Sequence, residues 1–218
     1  MKESTSKEKV LKKIRDALVD RMPAPYQNVD VENPVYAKQG NDFLEETFAK
    51  AFLKVGGQFV YCSNMDELTS ALQVLIKESS IKKIFCSEEF LTGLLNFREI
   101  EITNNWRDIF ACDVAVTACE ALVARLGTIV CSSAQLGGRQ SLAAAPMHIV
   151  IATNKQVVYG LDDAIRGLNE KYKEDMPSLV SFITGPSRTA DIEKTLVHGA
   201  HGPKELYLFM LDMDIADE

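Results

Sequence analysis

Residues Ser181–Leu211 read SFITGPSRTADIEKTLVHGAHGPKELYLFML. An apolar, β-branched run opens the stretch and another closes it, with turn signals at Gly185-Pro186 and Gly202-Pro203 between them. Ser187, Thr189 and Asp191 are residue types that cap a helix by accepting from its free backbone N–H groups. The spacing predicts strand, tight loop, short helix, glycine turn and strand. A loop at a helix N-terminus attracts anions, because unpaired N–H groups and the helix dipole point out of it. Arg188 adds a fixed charge suited to a carboxylate or a phosphate. A capped βαβ corner with a solvated arginine meets the same pattern, and both readings stay open.

Upstream, the same alternation recurs. Residues 4–20 carry Val10, Leu11, Ile14, Ala17 and Leu18 at helical spacing, and the proline-containing stretch to Gly40 reads as a linker. The expected organisation is an arm over residues 1–40 and an α/β domain over 41–218. A second helix is predicted over 42–54, ending at Gly56-Gly57. Strands are predicted at Gln58–Cys62, Lys83–Cys86, Cys112–Thr117 and Thr128–Ser132, with helices from Asn64 or Asp66 to Glu78, at Glu88–Asn96 and at Leu161–Tyr172. Ile149–Ala152 and Val157–Val158 read as a hairpin. Strands alternating with helices predict a central, mostly parallel sheet flanked by helices, with a helical N-terminal arm.

Of the 218 residues, 46% are hydrophobic and 25% charged, enough apolar content for a sizeable core. The net charge of −7 argues against nucleic acid as a main partner, since phosphate binding needs a basic footprint. No apolar run is long enough to span a bilayer, and the N-terminus lacks the apolar core of a signal peptide, so a cytoplasmic address is expected. Five scattered cysteines without a CxxC pair read as reduced, buried residues. No metal site is expected, nor an iron–sulfur cluster held by this chain. His198 and His201 read as turn residues, not metal ligands.

Between the strands near Val116 and Ile149 lies ACEALVARLGTIVCSSAQLGGRQSLAAAPMHIVIA. Gly137-Gly138 permits an exposed loop, followed by Arg139 and Ser141. If this loop met the one carrying Gly185, Ser187, Arg188 and Thr189, the two would form an anion cleft, and open α/β sheets place ligands at such loops. His148 is a candidate acid–base group or a strand-entry histidine bonded to backbone.

The run LGTIVCSSAQLGGRQSLAAAPMHIVI followed by the Ser181–Asp212 motif resembles the LUD-domain, or lactate-utilisation protein C, family. The resemblance covers roughly residues 40 to 212. It implies a fold similar to the sugar-phosphate isomerase and CoA-transferase group, and a role in oxidising lactate to pyruvate. It also implies iron–sulfur redox proteins as partners, which would hold the clusters. The motif positions that would bind ligand are Gly127, Thr128, Gly137, Gly138, Arg139, Ser141, Gly185, Ser187, Arg188 and Thr189. The family pattern A-E-T-G-T appears here as Ala124-Arg125-Leu126-Gly127-Thr128, with a cation in place of the carboxylate. Glu120 is then the nearest carboxylate for a catalytic role. The expected function is a subunit of a lactate-oxidising complex that binds a small carboxylate or phosphate-bearing ligand. A binding module without turnover, an acyl- or phosphate-transfer enzyme, and self-association stay open.

Overall fold

The computed structural model describes residues 5–19, 40, 42–135, 137–190, 196–199 and 201–213. The chain divides into two compact units, 1–39 and 40–218. In the first, α1 (Ser6–Val19) starts at Thr5, whose backbone N–H and hydroxyl both donate to the Glu8 carboxylate while Glu8 N–H donates back to the Thr5 hydroxyl. Two orphan donors are thereby satisfied reciprocally.

The second unit opens with α2 (Leu44–Lys54), which buries Phe48 and Phe52 as a stacked pair 5.4 Å apart. After Gly56, at φ +90°, come β1 (Gln58–Cys62) and α3 (Met65–Glu78). Asn64 caps α3 by accepting from Glu67 N–H at 2.9 Å. There follow β2 (Lys83–Phe85), α4 (Glu89–Leu94), β3 (Glu101–Thr103), β4 (Val114–Thr117), β5 (Ala121–Val123) and β6 (Thr128–Ser132). Then come β7 (Met147–Thr153), β8 (Val157–Val158), α5 (Leu161–Tyr172), β9 (Val180–Ile183), β10 (Arg188–Ala190), β11 (Leu196–His198) and β12 (Glu205–Leu211).

Six strands form an all-parallel sheet in the order β1-β12-β7-β4-β2-β3. Its central strands are buried on both faces, which is why β7 and the end of β12 read as near-continuous apolar runs. On one face Val114, Val116, Ile149, Ile151 and Phe209 pack with Leu68, Leu72 and Ile76 of α3. On the other, Val150, Ala152, Leu206, Leu208 and Met210 pack with the two phenylalanines of α2 and with Leu122, Ile129 and Cys131. Those last residues belong to a second, four-stranded sheet in the order β8-β5-β6-β9, whose far face packs Ala121, Val123 and Val130 on Ala164 and Leu168 of α5. The layers therefore run helix, sheet, sheet, helix.

The α/β fold with a central parallel sheet is as the sequence predicted. Two local readings are corrected. β7 and β8 are not a hairpin: a 3-10 turn at Asn154–Gln156 carries the chain from one sheet to the other, where β8 pairs in parallel with β5. Nor does a helix begin at Ser187 or Thr189. Arg188–Ala190 pairs antiparallel with Leu196–His198, so these cap-forming residues serve a hairpin instead. Asp191 lies outside the described residues. Among the described residues no helix is long and apolar enough to cross a membrane.

Candidate functional site

Parallel α/β sheets present their ligand crevices at the carboxyl ends of the strands. At the ends of the neighbouring strands β2 and β4 lies a cleft of about 640 Å³. Glu88 precedes α4 at the N-cap position but does not cap it. Instead its Oε2 accepts the Ala118 N–H, just past β4, at 2.6 Å. Two residues further on, Glu120 leads into β5, and its side chain is only 2% exposed. Its Oε1 accepts the Ser132 hydroxyl and the Tyr172 hydroxyl, each at 2.6 Å, and its Oε2 accepts Lys171 Nζ at 2.6 Å. The end of β6 and the last turn of α5 are thus tied to the β4–β5 turn through one carboxylate. Gln135 holds the Ser132 N–H at 2.9 Å and also lines the cleft, while Phe90, Ala118 and Ala134 give it an apolar wall.

The two carboxyl groups are pushed apart electrostatically. Burial favours the neutral form of Glu120, but the hydrogen bonds from Lys171, Ser132 and Tyr172, with the Lys171 charge, outweigh it and hold this carboxyl below its ordinary range. Glu88 goes the other way. Burial raises it, the Ala118 N–H opposes in part, and the neighbouring Glu120 charge adds to the rise. Burial disfavours the Lys171 cation, yet its bonds to Glu120 and Tyr172 leave it raised overall. Burial also keeps the Cys119 and Cys131 thiols protonated. A fixed carboxylate, a paired ammonium and a second carboxyl with a weakened hold on its charge therefore face one space. Pairs whose environments drive them apart in this way are the usual basis of acid–base division of labour.

The described residues contain no group of three or more His, Cys, Asp and Glu side chains able to hold a metal ion.

The LUD domain profile matches residues 45–211. The chain belongs to the LUD-domain family. Lactate utilization protein C 1 of Bacillus mycoides (strain KBAB4) is 32% identical over 164 residues, 67% of this chain and 70% of that protein. Lactate utilization protein C of Halalkalibacterium halodurans is 27% identical over 193 residues, 82% of this chain and 84% of its own. A crystal structure of a DUF162 family protein from Deinococcus radiodurans shares the fold with a TM-score of 0.59 at 15% identity, covering 77% of this chain and 96% of that one.

The LUD motif residues fall into two groups. Gly127, Thr128, Gly185 and Arg188 gather round the C-terminal turn of α2. Arg188 donates to the Val55 carbonyl at 2.6 Å, and a Cβ on Gly56 would lie 2.0 Å from its guanidinium. The Thr128 and Thr184 hydroxyls bond at 2.7 Å. Ser187 holds the hairpin, its N–H donating to the Pro203 carbonyl and its own carbonyl accepting from Gly199 N–H. Thr189 lies in β10. The second group sits over β4. Ser141 donates to the Gly138 carbonyl at 2.9 Å and lies under Gly137 beside Thr117, whose hydroxyl bonds His148 Nε2 at 2.8 Å. Arg139 donates to Ser178 at 2.6 Å. Arg139 and Arg188 thus have separate partners. His148 is buried, and burial lowers its pKa to about 4, keeping it neutral. Arg125 stands in the β5–β6 turn, its N–H donating to the Tyr159 carbonyl at 3.1 Å.

Of the cleft residues, Glu120 alone is marked by the sequence as a functional candidate. Glu88 had a usable signal, an acidic residue just past a predicted strand end. Ser132, Lys171 and Tyr172 had none, since they join Glu120 only through the stacking of β6 and α5.

Proposed function

We propose that this LUD-domain protein takes part in lactate utilisation, binding lactate or its oxidised product pyruvate in the Glu88–Glu120 cleft. The relationship to the lactate utilization C proteins carries the reading, because the likeness extends over most of their length. The cleft's chemistry supports the ligand class. Lys171 spends one of its three donors on Glu120 and is 60% exposed, so a ligand carboxylate can pair with it. Oxidation of lactate to pyruvate releases two electrons and two protons, and the electrons are expected to pass to iron–sulfur partner proteins. Cytoplasmic location belongs to the same proposal. The acyl-transfer alternative needs an open carboxylate nucleophile, and Glu120, with both oxygens engaged by three donors, is poorly suited to that.

Deleting the chain in its host and growing the cells on lactate as sole carbon source tests the role. Growth should fail and be restored by the wild-type chain, while Glu120→Ala restores it poorly. Undiminished growth of the deletion strain on lactate would reject the assignment. Affinity purification should bring down cysteine-rich redox proteins.

A further inference from the structure

We propose that Glu88 is the proton-carrying group of the cleft: binding of a carboxylate ligand draws a proton onto Glu88, which then donates a hydrogen bond to a ligand oxygen. This rests on the reading of the cleft as a small-carboxylate site and adds the group that makes binding proton-linked.

Each of the other groups around Glu88 has its charge state fixed by its own partners or by burial. From the β4–β5 turn comes Glu120, which three donors fix as a carboxylate. From α5 come Lys171, whose cation is stabilised by that carboxylate, and Tyr172, whose hydroxyl is already committed to it. From the strand ends come Cys86, Cys119 and Cys131, all thiols kept neutral by burial. Glu89, next in the chain, is exposed at the mouth. Glu88 differs from all of them. It is 8% exposed, and among the described residues its carboxyl has no cationic partner and one hydrogen bond, the Ala118 N–H on Oε2. Oε1 accepts no bond among the described residues, and Glu88 lines the cleft.

A ligand carboxylate entering here adds a second negative charge and displaces water, and both favour the neutral form of Glu88. The proton comes from solvent, no covalent bond changes, and the neutral carboxyl supplies a donor where an anion would repel the ligand. The sign follows from linkage: binding takes up a proton, so affinity falls as pH rises above the value at which free Glu88 ionises.

Two measurements test this on the intact protein. Carbon-detected NMR titration should place the free Glu88 carboxyl above an ordinary glutamate. Calorimetry with pyruvate, lactate and acetate, at pH 7 in buffers of different ionisation enthalpy, should then show uptake of up to one proton per ligand. Glu88→Gln keeps an acceptor for Ala118 N–H and a neutral donor, so it should bind with no proton uptake and little pH dependence. Glu88→Ala should bind at least tenfold more weakly. Acetate binding with proton uptake but no preference for pyruvate or lactate would support Glu88 and count against the lactate reading. Pyruvate binding whose proton uptake survives Glu88→Gln would overturn the Glu88 role and leave that reading intact. An ordinary Glu88 titration, or no carboxylate bound at all, would also overturn it.

Discussion

His148 is the second residue of β7, with Nε2 bonded to Thr117 and with Nδ1 lacking any partner among the described residues. Its pKa of about 4, against 6.5 for a free histidine, gives the unfolded chain the greater proton affinity. Stability from this residue is therefore full above pH 6.5 and is lost progressively as pH falls from 6.5 to about 4. A shift of that size corresponds to about 3 kcal/mol. Urea denaturation at a series of pH values should show this loss in the wild type and a flatter profile in His148→Gln. Glu120 acts in the same direction at lower pH: its carboxyl is held below the ordinary range, so its contribution is present above an ordinary glutamate's pKa and is lost as pH falls through the folded value. Glu120→Ala strands Ser132, Tyr172 and Lys171 at once. A buried hub of this kind should cost about 2–4 kcal/mol at pH 7, measurable by the same denaturation. A cost near zero would mean that water satisfies all three donors.

At the scale of elements, the C-terminal turn of α2 explains why two distant LUD motifs are spaced as they are. Gly127, at φ +60°, brings the β5–β6 turn so close that a Cβ would lie 2.4 Å from the Phe52 backbone nitrogen. Gly185, at φ +87°, lets its loop rest on the Val55 carbonyl, which Arg188 also reaches. An arginine at a helix C-terminus satisfies a carbonyl and complements the dipole together. Arg188→Ala should accordingly cost about 1–2 kcal/mol of stability. Gly127→Ala, with both backbone strain and a backbone collision, should cost about 2–4 kcal/mol. Thermal melts of the two variants check the ordering. Cap chemistry and apolar period were enough to read α3 and α5 from the sequence, because Asn64 and the spacing of Ala164 and Leu168 act within one helix. They could not reveal the four-stranded sheet. β8 has two residues and β5 three, too few to show alternation, and β8 meets its partner β5 only across the intervening β6 and β7. Ser187 and Thr189 misled for a related reason: residues that cap helices also suit hairpin turns, and only pairing decides. The cleft was legible only at Glu120, since its three donors arrive from two other elements, β6 and α5.

At the scale of the whole molecule, the four apolar clusters found among the described residues lie within residues 40–218. The four-stranded sheet has no core of its own: one face needs the six-stranded sheet and α2, the other needs α5. A sheet that buries both faces against different layers cannot open without exposing both, so the two sheets should unfold as one cooperative unit. Native-state hydrogen exchange can test this at Val130 in β6 and Val150 in β7, both fully buried. Their amides should exchange through openings of equal free energy, within about 1 kcal/mol, and equally in residues 40–218 expressed alone. A Val130 amide that exchanged through a markedly cheaper opening than Val150 would show that the second sheet detaches by itself. In that case the Ser132, Lys171 and Tyr172 side of the cleft would open with it, and ligand should close that gap by holding both sheets to Glu120.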